Sequence, residues 1–126
     1  MNDDIRRALS RGHTIDMTTT GRKTGLPRRI EIVFHNFDGR IYISGMPSRR
    51  KRAWLANLES QPQFTLHLKG PGLAADVPAR ARVITDEAER RAVMAKVAAV
   101  WRREDVEAMV AYSPLIEVTV EDAIAA

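Results

Sequence analysis

The chain has 126 residues, enough for one domain (1–126) with a continuous core and no staples. It contains no cysteine, which excludes disulfides, thiolate metal sites and thiol catalysis. The net charge is +4 but unevenly placed: Gly21 to Arg52 holds nine basic and two acidic residues (+7), and the remaining eleven basic and fourteen acidic residues give −3. A positive field confined to one stretch points to an anionic ligand, nucleic acid or membrane surface at one place. A solvated basic face without a ligand is the plain alternative. No apolar run reaches membrane-spanning length, and Met1-Asn2-Asp3-Asp4 lacks the charged and apolar regions of a signal peptide. A cytoplasmic location is therefore expected, with peripheral membrane contact left open.

Taken in order, residues 2–11 suit a short helix with Ile5 and Leu9 on one face. His13 to Thr20 reads as a strand, with Ile15 and Met17 alternating against polar neighbours. Gly21 and Gly25 bracket a turn, and Pro27 cannot donate to a central ladder. A second strand runs from Arg28 to Asn36 through Ile30, Ile32 and Phe34. Asp38-Gly39 is a two-residue turn signal, because both central residues of a type I′ turn need positive φ. Arg40 to Ser44 returns as a third strand.

Ser48 is positioned to cap a helix running to about Ser60, which would bury Trp54, Leu55 and Leu58 and stop before Pro62. Phe64, Leu66 and Leu68 mark a fourth strand, and Gly70-Pro71-Gly72 a turn. Leu73 to Thr85 looks like a fifth strand, interrupted or bent near Pro78. Asp86 followed by Glu89 is a capping-box pattern opening a helix through Val93, Val97 and Trp101. A shorter helix covers Asp105 to Ala111, and Leu115 to Glu121 is a last strand. The sum is about six strands and two main helices without recurring β-helix-β units, which disfavours a doubly wound sheet. A small antiparallel barrel with helices packed on its openings fits best.

The chemistry-bearing residues are few. His13, His35 and His67 are isolated from carboxylates at ligand spacing, so no metal is expected, and His35 and His67 read as surface or barrel-lip residues. No nucleophile elbow or carboxylate pair is present. Gly21-Arg22-Lys23-Thr24-Gly25 lacks the spacing of a nucleotide-hydrolysing phosphate loop, yet its logic suits an anion. Glycines let backbone N–H groups approach a phosphate, and a guanidinium fork holds two of its oxygens. Arg49 to Arg52 lacks the interleaved aromatics that would stack bases, so no nucleic acid is expected. Trp54 and Trp101 sit in apolar phases and read as core, although Trp54 could wall a ring-binding cleft.

At these residues a family resemblance enters. Thr18-Thr19-Thr20-Gly21-Arg22-Lys23-Thr24-Gly25-x-Pro27-Arg28 resembles the opening motif of deazaflavin-dependent nitroreductases and quinone reductases. Ala53-Trp54-x-x-Asn57-Leu58-x-x-x-Pro62 resembles that family's second motif at the same spacing. The resemblance implies a mainly β split barrel of the FMN-binding, pyridoxamine-phosphate-oxidase-like kind, with about six antiparallel strands and flanking helices. It implies an oxidoreductase moving a hydride from reduced coenzyme F-420 to a quinone, nitro or enone acceptor. It further implies that Arg22, Lys23, Thr24 and Arg28 bind the cofactor's phosphate or acidic tail. Ser44, Gly45 and the loop beyond would run beside the deazaflavin, Arg50 matches a basic position there, and Trp54 and Asn57 would support the cleft. Tyr112, the only late tyrosine, could donate a proton or hydrogen bond to substrate, although a core tyrosine is an equal reading. Two departures stand out: Met46-Pro47 replaces a usual Gly-Gly pair, and Ser113-Pro114 stands where an Arg often precedes the last strand. FMN is the alternative cofactor, and a non-catalytic module binding an acidic cofactor or lipid the alternative function. A homodimer is expected by the same analogy.

Overall fold

The structure is a computed structural model that describes residues 2–70 and 73–121. Helix α1 (Asp3–Leu9) leads into β1 (Thr14–Thr20), β2 (Pro27–Phe37) and β3 (Arg40–Ser44). Helix α2 (Ala53–Ser60) precedes the hairpin β4 (Gln63–Gly70) and β5 (Leu73–Val83). Helices α3 (Glu87–Trp101) and α4 (Val106–Tyr112) precede β6 (Leu115–Val120). The strands close into an antiparallel barrel in the order β1-β2-β3-β6-β5-β4. Two of the expected turn residues between β4 and β5, Pro71 and Gly72, lie outside the described residues.

Local signals set most of these elements. Asp38 and Gly39 both have positive φ (55° and 88°), which gives the β2–β3 turn the twist of the strands it joins. Asn2 caps α1 by accepting from Asp4 N at 2.6 Å. Asp86 caps α3 by accepting from Glu89 N at 2.9 Å, while the Glu89 carboxylate turns away to Arg82. Helix α3 ends where Arg102 takes a left-handed φ of 56°.

Three expectations change. First, the helix does not start at Ser48. Ser48 Oγ accepts from Arg50 N at 3.1 Å, a local turn that competes with helix, and the irregular backbone continues to Arg52. Second, β5 runs through Pro78 without a break. A strand residue directs its N–H and C=O to the same side. Pro78 O accepts from Glu121 N at 2.9 Å, just past the last residue of β6. The missing proline donor thus faces the end of a ladder, where it costs nothing. Third, the helices are not all on the openings. Leu9 of α1 and Trp54 and Leu58 of α2 join the barrel core, at opposite ends. Helices α3 and α4 instead cover an outer wall, where Val93, Met94, Val97, Met109 and Val110 pack with Tyr42 of β3 and Leu115 of β6.

Because successive strands alternate in direction, the β1–β2 turn, the loop after β3 and the start of β6 all reach one end of the barrel. The β2–β3 and β4–β5 turns lie at the other. The two basic stretches therefore share an end, with α2 between them.

Candidate functional site

The first basic turn is a single helical turn held from outside. Gly25 N donates to Gly21 O, and Gly21 N to Leu26 O, both at 2.8 Å. Gly25 has φ of 71°, the left-handed region that favours glycine. Gly21 has no room for a side chain: a Cβ there would lie 2.8 Å from Thr24 Oγ1 and 3.1 Å from Leu26 O. Asn57, buried on α2, fixes the turn to the barrel. Its Oδ1 accepts from Arg22 N at 3.1 Å, and its Nδ2 donates to buried Thr19 Oγ1 at 3.0 Å. Thr24 Oγ1 accepts from Leu26 N at 3.2 Å. The N–H groups of Lys23 and Thr24 have no acceptor among the described residues.

Beside this turn lies a cleft of ≈ 420 Å³ whose walls include Arg22, Lys23, Thr24, Arg28, Trp54 and Asn57. The charges there are unspent. Arg22, Lys23 and Arg28 make no ion pair among the described residues. Elsewhere on the barrel opposite charges neutralise one another. Lys69 bonds both Asp16 (2.7 Å) and Glu31 (2.6 Å), and Arg29 bonds Asp16 at 3.0 Å. Asp16 is held below its ordinary range by the hydrogen bond from Lys69, then by that from Arg29.

The second basic loop faces a different cleft, of ≈ 360 Å³, on the other side of α2. Arg49, Arg50 and Tyr112 lie on its walls. Tyr112 is 44 % exposed, so it is not a core tyrosine. The Arg49 guanidinium lies 5.2 Å from its ring centroid, and Tyr112 O accepts from Ser48 N at 3.2 Å. The Ser44 hydroxyl is turned away, buried against α3 with its proton on Pro114 O at 2.6 Å. Gly45 is closed in: a Cβ would lie 3.1 Å from Pro114 Cγ and 3.2 Å from Arg52 Nη2. Among the predicted residues, then, Arg22, Lys23, Thr24, Arg28, Trp54 and Asn57 come together, while Arg50 and Tyr112 meet across α2 from them.

Two features escaped the sequence. Arg90 of α3 reaches four backbone carbonyls: Val110 (2.8 Å), Ile84 (2.9 Å), Ser113 (2.6 Å) and Met109 (3.4 Å). It ties the negative end of α4 to Ile84, the residue after β5, and burial lowers its pKa. No spacing rule marks an arginine for this role. His35 and His67 are both buried, contrary to the surface reading. The outer wall of β2 is covered by α3, so His35 lies against Phe37 and Trp101 with Nε2 unpartnered among the described residues, and burial lowers its pKa. His67 joins Thr18 Oγ1 (2.6 Å) to Asp76 Oδ1 (2.8 Å) across three strands. That file has the connectivity of a nucleophile relay, but Thr18 sits in a strand paired on both sides, whose N–H groups are committed to the ladder. No cluster of three metal-ligating side chains occurs among the described residues, and no helix there is long and apolar enough to cross a membrane.

The chain's comparisons with known proteins bear on this arrangement. No curated protein matches the chain. A solved structure described as an F420 reductase superposes with a TM-score of 0.66 at 16 % identity, covering 92 % of each chain. An F420-H2 dependent reductase gives 0.53 at 19 % identity, over 84 % of this chain and 93 % of the other. A FAD-binding protein from Mesorhizobium loti gives 0.63 at 15 % identity, over 97 % and 91 %. At these identities the likeness shows the shared split-barrel fold. A family model reaches further, matching residues 2–122 from end to end of the barrel. The chain belongs to the F420H(2)-dependent quinone reductase family.

Proposed function

We propose that the protein is a reductase that takes a hydride from reduced coenzyme F-420 and delivers it to a small electron-poor quinone, nitro or enone acceptor. The observation that carries this reading is the first turn. Three cations, Arg22, Lys23 and Arg28, stand with two backbone N–H groups around one cleft, none of them partnered among the described residues. That donor set suits a phosphodiester, and the surplus of positive charge suits an acidic tail extending from it.

The residues divide the work. Arg22, Lys23 and Arg28 would hold the phosphate and tail. Asn57 positions the turn that presents them, and buried Trp54 gives the cleft an apolar wall. Arg50 lines the neighbouring cleft, where Tyr112 is exposed enough to donate a hydrogen bond to the acceptor oxygen. The deazaflavin, when bound, supplies the hydride chemistry itself. The protein's part is to bind, to orient and to provide a proton for the acceptor oxygen, so that a quinone leaves as a quinol after gaining two electrons and two protons.

FMN, with a lone terminal phosphate, would leave more of the cations unanswered. Titrating the protein with coenzyme F-420 and with FMN, followed by cofactor fluorescence, tests the reading. Coenzyme F-420 is expected to bind tighter. The double variant Arg22→Ala with Lys23→Ala should weaken it by about 1.5–3 kcal/mol, the scale of charged hydrogen bonds. A loss below about 1 kcal/mol removes the phosphate from this turn. Binding without reduction of menadione or a nitroaromatic would favour a non-catalytic module. The analogy also carries a homodimer, which light scattering measures directly.

A further inference from the structure

The cleft on the far side of α2 has a composition of its own. Its apolar surface is offered by half-buried Leu55 and Val83 and exposed Ala111, with Ile84 and Leu115 fully buried beneath. Its rim is cationic: Arg49, Arg50, Lys51 and Arg52 follow one another, and Arg90 backs the wall. Glu59 is the one carboxylate among the described lining residues, and it is engaged by Lys51 at 2.7 Å. Arg52 donates to Met46 O at 2.7 Å. The guanidinium of Arg50 has neither acid nor acceptor among the described residues, and that of Arg49 rests on the Tyr112 ring. Consecutive unpaired cations at an apolar edge repel one another, and an anion between them relieves that cost. The volume, ≈ 360 Å³, falls in the about 300–1,000 Å³ range of small-molecule sites.

We infer that this cleft is the acceptor subsite and that it selects acceptors whose apolar ring carries a carboxylate or sulfonate, held by Arg49 and Arg50. The ring lies against Leu55 and Val83, beside Tyr112. This rests on the reading that the first turn takes the cofactor's phosphate. The backbone of α2's first turn separates the two clefts: Ala53 and Trp54 line one, Arg52 and Leu55 the other. One anionic group therefore cannot answer both sets of cations.

The test is calorimetry on the cofactor-free protein with 1,4-naphthoquinone-2-sulfonate and its neutral counterpart menadione. The sulfonate is expected to bind at least about tenfold tighter, the worth of one charge-assisted contact. That preference should shrink as salt rises from about 0.05 to about 0.5 M. Arg49→Ala with Arg50→Ala should abolish the preference, whereas Arg49→Lys with Arg50→Lys should keep most of it. Arg22→Ala with Lys23→Ala should not alter it. Equal affinities for the two quinones in the unaltered protein overturn the inference without recourse to any variant. So does a preference lost in the first-turn variant in place of the second-loop one. Sulfonate selectivity without coenzyme F-420 binding would leave the subsite standing and remove the proposed cofactor. Coenzyme binding without sulfonate selectivity would do the reverse.

Discussion

Asn57 is the residue through which fold and site can be separated. It is 6 % exposed and makes two hydrogen bonds, from Arg22 N at 3.1 Å and to Thr19 Oγ1 at 3.0 Å. Replacing it by alanine removes both and leaves the Arg22 N–H and a buried hydroxyl to find other partners. At roughly 1–2 kcal/mol for each such loss, Asn57→Ala should cost about 2–4 kcal/mol. For a chain of this size that lowers the melting temperature by about 8–15 °C. Asn57→Asp is the informative control. Its carboxylate still accepts from Arg22 N, and the Thr19 hydroxyl can rotate to donate, so most of the lost stability should return. The same carboxylate puts a negative charge under the turn proposed to hold a phosphate. At about 6 Å and an effective dielectric near 20 the repulsion is roughly 3 kcal/mol before screening, so affinity for coenzyme F-420 should fall by about tenfold or more. Thermal melts and fluorescence titration read the two effects separately. An Asn57→Ala melt within about 2 °C of the unaltered protein refutes the clamp. An Asn57→Asp variant that binds the coenzyme normally refutes the phosphate's place beside this turn.

Three further outcomes follow from the same geometry. His35 is buried with its pKa lowered from 6.5 by desolvation, so the unfolded chain takes up the proton first. Its contribution is therefore flat above about pH 6.5, and stability falls as pH drops below that value until the folded histidine also titrates. Denaturation of His35→Leu at pH 5 and 8 should show a shallower acid loss than the parent, and a loss of equal slope contradicts the assignment. Gly21→Ala should cost about 1–2 kcal/mol, because Thr24 Oγ1 (2.8 Å from the new Cβ) and the Leu26 carbonyl (3.1 Å) must both shift, and coenzyme affinity should fall with it. Arg90→Met strips donors from four carbonyls and should cost about 3–5 kcal/mol by chemical denaturation. Arg90→Lys should recover less than half, since a point-like ammonium cannot span the guanidinium's fork.

The sequence was most legible where one residue decides the backbone. Asp38-Gly39 demanded positive φ twice, and the hairpin around it formed as expected, with Asn36 opposite Ile41. Alternating Phe64, Leu66 and Leu68 likewise marked the inner face of β4. Legibility failed where a distant partner broke a local tie. Ser48 has the chemistry of a helix cap, but its N–H is taken by Tyr112 O, far along the chain, and its hydroxyl closes a short turn instead. His35 reads as polar phase on a strand that is exposed on one side, and only the packing of α3 on that side buries it. Of the candidate site, Arg22, Lys23, Arg28 and Asn57 were visible through motif and charge. Arg90 was not, because its partners are carbonyls, which every residue carries.

The two departures from the family pattern become intelligible once α2 is seen as the common wall. Met46 stands where a glycine is usual, yet its side chain is 48 % exposed and lines neither cleft. Its sulfur lies 3.4 Å from Arg103 Nη1, and its carbonyl accepts from Arg52. The tight position in this loop is instead Gly45, because Arg52 and Pro114 close on it from two sides. Ser113-Pro114 stands where an arginine often precedes the last strand. The cation is not missing from that corner: Arg90 arrives from α3 and bonds the carbonyl of Ser113, next to Pro114. An arginine contributed by a helix and held by four carbonyls is fixed in place, where one in the connecting segment would be free to follow a ligand. The consequence is a division of labour within the second cleft. Arg90 is committed to structure, so anion recognition there falls to Arg49 and Arg50.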